Sequence, residues 1–323
     1  MCTAVTLSTK DFYFGRNLDL EYHYKEEVTV TPRLFPFEFR ECKPLYEHYA
    51  LIGMATVVDG YPLYYDATNE AGLSMAALNF PGYEVYRSAI TGFDNIATFE
   101  LIPWILGNCK NLSEAKAALS RINITKTNFK ASLPVTPLHW IISDKTASLT
   151  IESVSDRLKV YDNPIGTLTN SPGFDIHMFY LRNYMQLTKS EPENRFSDKI
   201  ELTPYSRGMG AMGLPGDLSS CSRFVRAAFT KLNSACGDSE GESVNQLFHI
   251  LKSVEHTRGC VKLCKKYEIT QYSSCCNTDK GIYYYTTYEN SRITAVNMNN
   301  ENLDSAELIK YPLKSDFSPD YQN

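Results

Sequence analysis

The 323 residues are 43% hydrophobic and 12% aromatic, enough to bury a sizeable core in one large domain or two ordinary ones. A net charge of -5 with scattered Lys and Arg builds no basic stripe, which excludes a nucleic-acid partner. No apolar run approaches the roughly 18 to 20 residues of a membrane span, and Met1-Cys2-Thr3-Ala4-Val5 carries no secretion signal, so a cytoplasmic chain with nine reduced cysteines is expected.

Taken in order, Cys2 to Ser8 and Asp11 to Leu18 alternate about a short polar break, the pattern of a hairpin. Strands are predicted at Glu27–Pro32, Ala50–Val58 and Gly72–Leu78, with Asp59-Gly60 as a turn. Phe99–Leu106 reads as a helix disturbed by Pro103. Asn111-x-x-Glu114 opens a second helix, with Ala115, Ala118, Leu119 and Ile122 on one face. Strands return at Leu138–Ile142, Ser148–Glu152, Leu158–Tyr161 and Ile165–Leu168. Helices are predicted over Phe174–Leu187, around Phe224 to Leu232, and from Val244 to Val254. Strands at Glu268–Ser273, Gly281–Thr286 and Ile293–Met298 complete the series. Strands and helices in alternating blocks, with hairpin spacing and no linker or repeat, imply a single α+β domain over residues 1–323, with antiparallel sheets covered by helices.

Cys2 is the first residue with chemical potential. A small residue after the initiator permits removal of Met1. The exposed α-amine then has an ordinary pKa of about 7.7 to 8.0 and the thiol about 8.5, so base and nucleophile share one residue. A hairpin would bring Arg16 and Asp19 near Cys2, where a guanidinium favours thiolate and a carboxylate can hold the amine. Arg223 lies in the first turn of its predicted helix, where a cation opposes the helix dipole unless it has a partner. Cys260-x3-Cys264 and Cys275-Cys276 lack a CxxC pair and the six histidines do not cluster about them, so no metal is expected.

Several motifs together resemble the choloylglycine hydrolase family. These are Cys2-Thr3, Phe14-Gly15-Arg16-Asn17-Leu18-Asp19, Tyr64-Tyr65-Asp66-Ala67-Thr68-Asn69-Glu70, Leu78-Asn79-Phe80-Pro81, Leu168-Thr169-Asn170-Ser171-Pro172, Gly213-Leu214-Pro215-Gly216-Asp217 and Ser222-Arg223-Phe224. The resemblance runs from residue 2 to about residue 311. It implies a four-layer αββα N-terminal-nucleophile fold with two packed antiparallel sheets, a homotetramer, and no cofactor. It further implies Cys2 as nucleophile and its amine as base, Asp19 holding that amine, and Arg16 tuning the thiol. Asn170 and the backbone N–H of Asn79 would hold the oxyanion, with Arg223 as the second arginine of the site.

The family comprises bile salt hydrolases and penicillin V acylases. Asparagine at position 79, where the acylases commonly carry tyrosine, favours conjugated bile salts as substrates, with the steroid meeting Leu18, Tyr24, Tyr61, Phe129 and Leu133, in or beside predicted loops. Ser206-Arg207-Gly208 resembles the glycine-preferring type. Two rivals stay open: a penicillin V or N-acyl-homoserine lactone acylase using the same machinery, and a catalytically silent thiol or metal-binding protein built on Cys260 to Cys276.

Overall fold

The N-terminal hairpin sets the frame. In the computed structural model, which describes residues 1–155 and 157–323, Cys2–Ser8 pairs antiparallel with Phe12–Leu20, placing Cys2 opposite Leu18 and Ala4 opposite Arg16. Side chains alternate across a strand. One face therefore carries Cys2, Ala4, Phe14, Arg16 and Leu18, and the other Thr3, Val5, Tyr13, Asn17 and Asp19.

This hairpin lies inside a six-stranded sheet ordered Thr167–Leu168, Cys2–Ser8, Phe12–Leu20, Ile269–Asn277, Ile282–Thr287, Thr294–Asn297. An eight-stranded sheet runs Leu158–Asp162, Ser148–Ser153, Leu138–Ser143, Ser74–Asn79, Tyr61–Asn69, Leu51–Val58, Glu27–Thr31, Ile309–Pro312. Both are antiparallel throughout. The described residues form five α-helices: α1 (Leu101–Asn108), α2 (Leu112–Leu119), α3 (Phe174–Tyr180), α4 (Ser220–Asn233) and α5 (Glu240–Lys252).

Three cores separate the layers. Phe14, Leu18, Ile52, Met54, Leu78 and Ile141 fill the space between the sheets. Helices α1 and α2 cover the eight-stranded sheet through Ile105, Ala115, Met75 and Trp140. Helices α4 and α5 cover the six-stranded sheet through Ala227, Leu247, Leu251 and Val5. The result is the αββα sandwich expected of the chain.

Several elements differ from the sequence expectation. Ile122 does not continue α2 but opens the strand Ile122–Thr125, parallel to Asp94–Ala97. The apolar period carries past Leu119, yet Ser120 and Arg121 turn the chain after their N–H groups bond the Ala117 and Ala118 carbonyls. Tyr61–Asn69 forms a nine-residue strand absent from the expectation, as is the edge strand Ile309–Pro312. The helix expected over Phe174–Leu187 is α only to Tyr180 and then tightens to a 3-10 turn at Leu181–Tyr184. The last long strand extends to Asn277, with Cys275 in the helix-side core and Cys276 in the inter-sheet core. Opposite faces of one strand cannot present both thiols to one ion.

Candidate active site

Cys2 begins the strand whose other neighbour is Thr167–Leu168, with Ala4 opposite Leu168. Two residues beyond that pairing, Asn170 reaches the strand's beginning. The chain carries Met1, so the Cys2 nitrogen is a peptide N–H standing where the α-amine lies once Met1 is removed. That N–H donates to Asn170 Oδ1 at 2.7 Å.

Arg223 of α4 reaches the same point from the helix layer. Its Nη1 donates to the Cys2 carbonyl and to Thr3 Oγ1, both at 2.6 Å, its Nη2 to Asn170 Oδ1 at 2.7 Å, and its Nε to the Leu218 carbonyl at 3.0 Å. With two donors on one side-chain oxygen, the orientation of the Asn170 amide is fixed. Burial lowers the guanidinium's hold on its proton, opposed by Asp19, Cys2 and Glu268. Arginine nonetheless remains charged.

Arg16 enters from between the sheets, fully buried. Its Nη1 donates to the carbonyls of Tyr65 and Ala77, each at 2.8 Å. The Tyr65 carbonyl is available because Met54 pairs with Asp66 and Ala55 with Tyr64, leaving Tyr65 as the extra residue of a β-bulge. Arg16 Nη2 has no hydrogen-bond partner among the described residues. Burial disfavours the cation at this position, but its interactions with Cys2, Tyr272 and Asp66 outweigh it and raise its pKa. Asp66 accepts from Tyr272 at 2.7 Å and from Tyr283 at 2.6 Å, while burial pushes its own pKa up.

Asn79 ends a strand of the facing sheet. It stands opposite Leu138, and the next residue, Phe80, donates its N–H to Pro137. Hydrogen-bonded and non-bonded pairs alternate in an antiparallel ladder, so the Asn79 N–H points the other way, to the side where Ala77 meets Arg16. On that side the Asn79 carbonyl accepts from Asn170 Nδ2 at 2.8 Å. The second hydrogen of Asn170 Nδ2 and the Asn79 N–H thus border one space beside Cys2.

Asp19 lies on the helix side, fully buried. Its Oδ1 accepts from Thr270 Oγ1 at 2.6 Å. Its Oδ2 stands 3.9 Å from Arg223 Nη1 and 3.7 Å from His256 Nε2 and accepts no hydrogen bond from the described residues. A bulge at Gln271 keeps Thr270 opposite Asp19 while Tyr272 faces Leu18. His256 Nδ1 lies 3.0 Å from Glu268 Oε1, within ion-pair distance but not aligned for a hydrogen bond. The Met1 amine sits 3.1 Å from the same carboxylate and donates to the Asp19 carbonyl. Burial opposes charge on Glu268, but His256 and the Met1 ammonium prevail and lower its pKa.

The expected steroid contacts divide. Leu18 is buried directly opposite Cys2, within a strand and not a loop. Tyr24 is half exposed, its carbonyl accepting from Thr56, whose hydroxyl also bonds Tyr65. Tyr61 and Phe129 pack together at 5.8 Å with Phe99, under the guanidinium of Arg40. Leu133 is half-buried in the short bridge that pairs it with Lys130. Ser206 and Arg207 are exposed.

Thr3, Ser220, Thr270, His177, His256 and Glu268 also border the site and were not singled out from sequence. Of these, Thr3 stands inside the Cys2-Thr3 motif, which gave it no role. His177 lies seven residues from its partner Asn170, across the passage from the sheet into α3, and His256 reaches Asp19 from the far part of the chain; neither contact is signalled by a local pattern.

Residues 2–311 match the family described as linear amide C–N hydrolases, choloylglycine hydrolase family. The chain is 54% identical over 317 residues, covering 98% of both sequences, to a bile salt hydrolase/transferase of Lactiplantibacillus plantarum (strain ATCC BAA-793 / NCIMB 8826 / WCFS1). It is 41% identical to the bile salt hydrolase/transferase of Clostridium perfringens (strain 13 / Type A), over all of both chains. A crystal structure of a variant conjugated bile acid hydrolase from Clostridium perfringens superposes with a TM-score of 0.92 at 39% identity, covering all of both chains. Penicillin V acylase from Agrobacterium tumefaciens shares the fold at a TM-score of 0.76 and 18% identity, covering 97% of this chain and 92% of that one.

Proposed function

The chain belongs to the choloylglycine hydrolase family of linear amide C–N hydrolases, and from that premise we propose that Cys2, freed of Met1, cleaves glycine- and taurine-conjugated bile acids. The protein is an amide hydrolase, a bile salt hydrolase by its relatives. The observation that carries the proposal is the Cys2 nitrogen on Asn170 Oδ1, with Arg223 bonded to both residues.

In the proposed reaction the neutral α-amine of Cys2 takes the thiol proton, and the thiolate attacks the amide carbonyl carbon. The oxyanion forms between Asn170 Nδ2 and the Asn79 N–H. Two such donors are the usual holders of a tetrahedral intermediate, each worth about a hundred- to a thousandfold in rate. Collapse passes the ammonium proton to the leaving nitrogen, and glycine or taurine departs as its amine. Water then attacks the thioester, gives a proton back to the α-amine, and releases the bile acid. Arg16, with Nη2 unpartnered, stabilises the thiolate, and Asp19 steadies the ammonium form of the amine. Leu18, directly opposite Cys2, and Tyr24, Tyr61, Phe129 and Leu133 are the proposed steroid contacts.

Because relatives are described as hydrolase/transferase, a free amine in place of water is a second proposed acceptor for the thioester. The working unit is proposed as one domain, assembled as a tetramer. Met185, Phe196 and Tyr205, each more than 80% exposed, crowd the irregular stretch from 181 to 219 and supply apolar surface for self-association. No helix among the described residues is long and apolar enough to cross a membrane, and nine free thiols suit a reducing cytoplasm.

Intact mass of the purified protein should show the loss of Met1, and glycocholate should be turned over faster than penicillin V. Full activity with Met1 retained would end the Cys2-amine mechanism, and equal or better penicillin turnover would reassign the substrate. Cys2→Ala should stay folded and lose hydrolysis.

A further inference from the structure

Asn170 must hold two things at once in the proposed mechanism, the Cys2 nitrogen and the oxyanion. It lies outside the sheet, past the last paired residue Leu168 and before α3, so no strand ladder fixes its backbone. A buried backbone whose N–H and C=O have no ladder partner needs others. The structure supplies them from two helices. The Asn170 N–H donates to Ser220 Oγ at 2.8 Å, at the start of α4. The Asn170 carbonyl lies 2.8 Å from His177 Nε2, in α3.

The chemistry of that second contact is settled by its acceptor. A carbonyl accepts only, so Nε2 carries the hydrogen and Nδ1 a lone pair. Nδ1 is buried and meets no donor among the described residues. The ring stacks on Phe224 at 4.8 Å, and burial holds its pKa down at about 4. A neutral ring with one fixed tautomer is thus wedged under the Asn170 peptide. One residue earlier the arrangement repeats. His139 Nε2 meets the Thr169 carbonyl at 2.8 Å while its Nδ1 faces Glu152 Oε1 at 3.3 Å, an oxygen that also accepts the Phe174 N–H.

We infer that His177 is a positioning residue for this hydrolase, acting through Asn170 by fixing the carbonyl of the residue whose side chain holds both the nucleophile's nitrogen and the oxyanion. This rests on the proposed role of Asn170 as an oxyanion donor. Without His177 the Asn170 backbone keeps its Ser220 tether alone, and the amide is then placed by its side-chain bonds to Cys2, Arg223 and Asn79 with no fixed carbonyl behind it. A misplacement of about 1 Å in such a group costs on the order of a hundredfold.

The test compares His177→Phe, which keeps the stack on Phe224 without a donor, with His177→Gln, whose amide nitrogen lies near the position of Nε2. Rates with glycocholate are expressed per folded molecule, the folded fraction being taken from the amplitude of the urea unfolding transition, which removes the effect of misfolded enzyme. His177→Phe should lose about ten- to a hundredfold in kcat with KM held within about threefold, and His177→Gln should recover most of it. Two results would overturn the inference: His177→Phe within twofold of the parent, or equal kcat losses in both variants. Asn170→Ala serves as the control. If it keeps its rate, the oxyanion reading itself fails and the inference falls with it; if it alone is crippled, the oxyanion reading stands and His177 has no positioning role.

Discussion

Arg223→Met removes a guanidinium of nearly the same volume and leaves a measurable set of broken contacts. Four hydrogen bonds vanish, to Leu218, Cys2, Thr3 and Asn170. The losses are unequal. The Thr3 hydroxyl can rotate, and Asn170 Oδ1 keeps its bond from the Cys2 nitrogen. The Cys2 carbonyl is stranded, because the Met1–Asp19 bonds on the neighbouring strand pair leave Cys2 facing away from that strand. Asp19, buried with Oδ2 unbonded, also loses its nearest arginine. One stranded acceptor costs about 1 to 3 kcal/mol, and a buried charge deprived of its partner brings the total to about 3 to 5 kcal/mol. Activity should fall further than stability alone explains, by about a hundred- to a thousandfold in kcat per folded molecule, because Asn170 loses a donor that fixes its oxygen. Urea unfolding gives the first number, and glycocholate turnover at a denaturant-free plateau the second. A variant that unfolds within about 1 kcal/mol of the parent and keeps a third of its kcat would refute this role for Arg223.

Gly15→Ala should lower the melting temperature, since a Cβ there stands 2.2 Å from the Ser274 carbonyl oxygen and 2.6 Å from Leu247. A backbone oxygen in a central strand cannot step aside, so overpacking of about 1 to 3 kcal/mol is expected, and an unchanged midpoint in thermal melting would count against the register that sets Gly15 opposite Cys275. The His177 ring predicts an acid limb in stability. An unfolded histidine titrates near 6.5, whereas the folded ring refuses its proton until about pH 4. The unfolded chain therefore binds the extra proton between those values, so the contribution is full above about 6.5 and is lost as pH falls toward 4. Urea titrations at stepped pH should show a shallower acid slope in His177→Gln, and an identical slope would place the proton uptake elsewhere.

The hairpin was legible because two runs rich in β-branched, aliphatic and aromatic residues, Cys2 to Ser8 and Asp11 to Leu18, flank the short polar break at Thr9-Lys10, so that Arg16 and Asp19 fall at the open end beside Cys2. The sandwich followed from blocks of such strands separated by amphipathic helices. Tyr61–Asn69 was not legible. Pro62 interrupts it, Asp66 places a carboxylate in the inter-sheet layer, and from Asp66 to Asn69 every residue is buried, so the alternation of its first half does not continue. What makes Asp66 tolerable there, the hydroxyls of Tyr272 and Tyr283, lies more than 200 residues away. The bulge at Tyr65 is equally silent in sequence, although it frees the carbonyl that receives Arg16. Likewise His177, His139 and His256 carry no motif. Each works through a backbone or carboxylate group that only the folded chain brings within reach.

The two buried arginines therefore divide the work around Cys2 according to the layer each enters from. Arg223 spends four of its five N–H groups on protein acceptors, two of them on Cys2 and Thr3 at the start of the first strand. Its contribution is geometric, since a planar fork holds several acceptors in one plane and an ammonium does not. Arg16 uses three, all on carbonyls, with one of those contacts long at 3.4 Å, and leaves Nη2 free. Its neighbour Asp66 is tied up by two tyrosines and shares its charge with them. Burial works against the Arg16 cation while Cys2, Tyr272 and Asp66 work for it, and Arg16 is the cation of this layer proposed to act on Cys2. Carbonyl ligands orient a guanidinium without neutralising it. That choice of ligand lets a cation be rigid and still keep its charge available to Cys2, the proposed nucleophile.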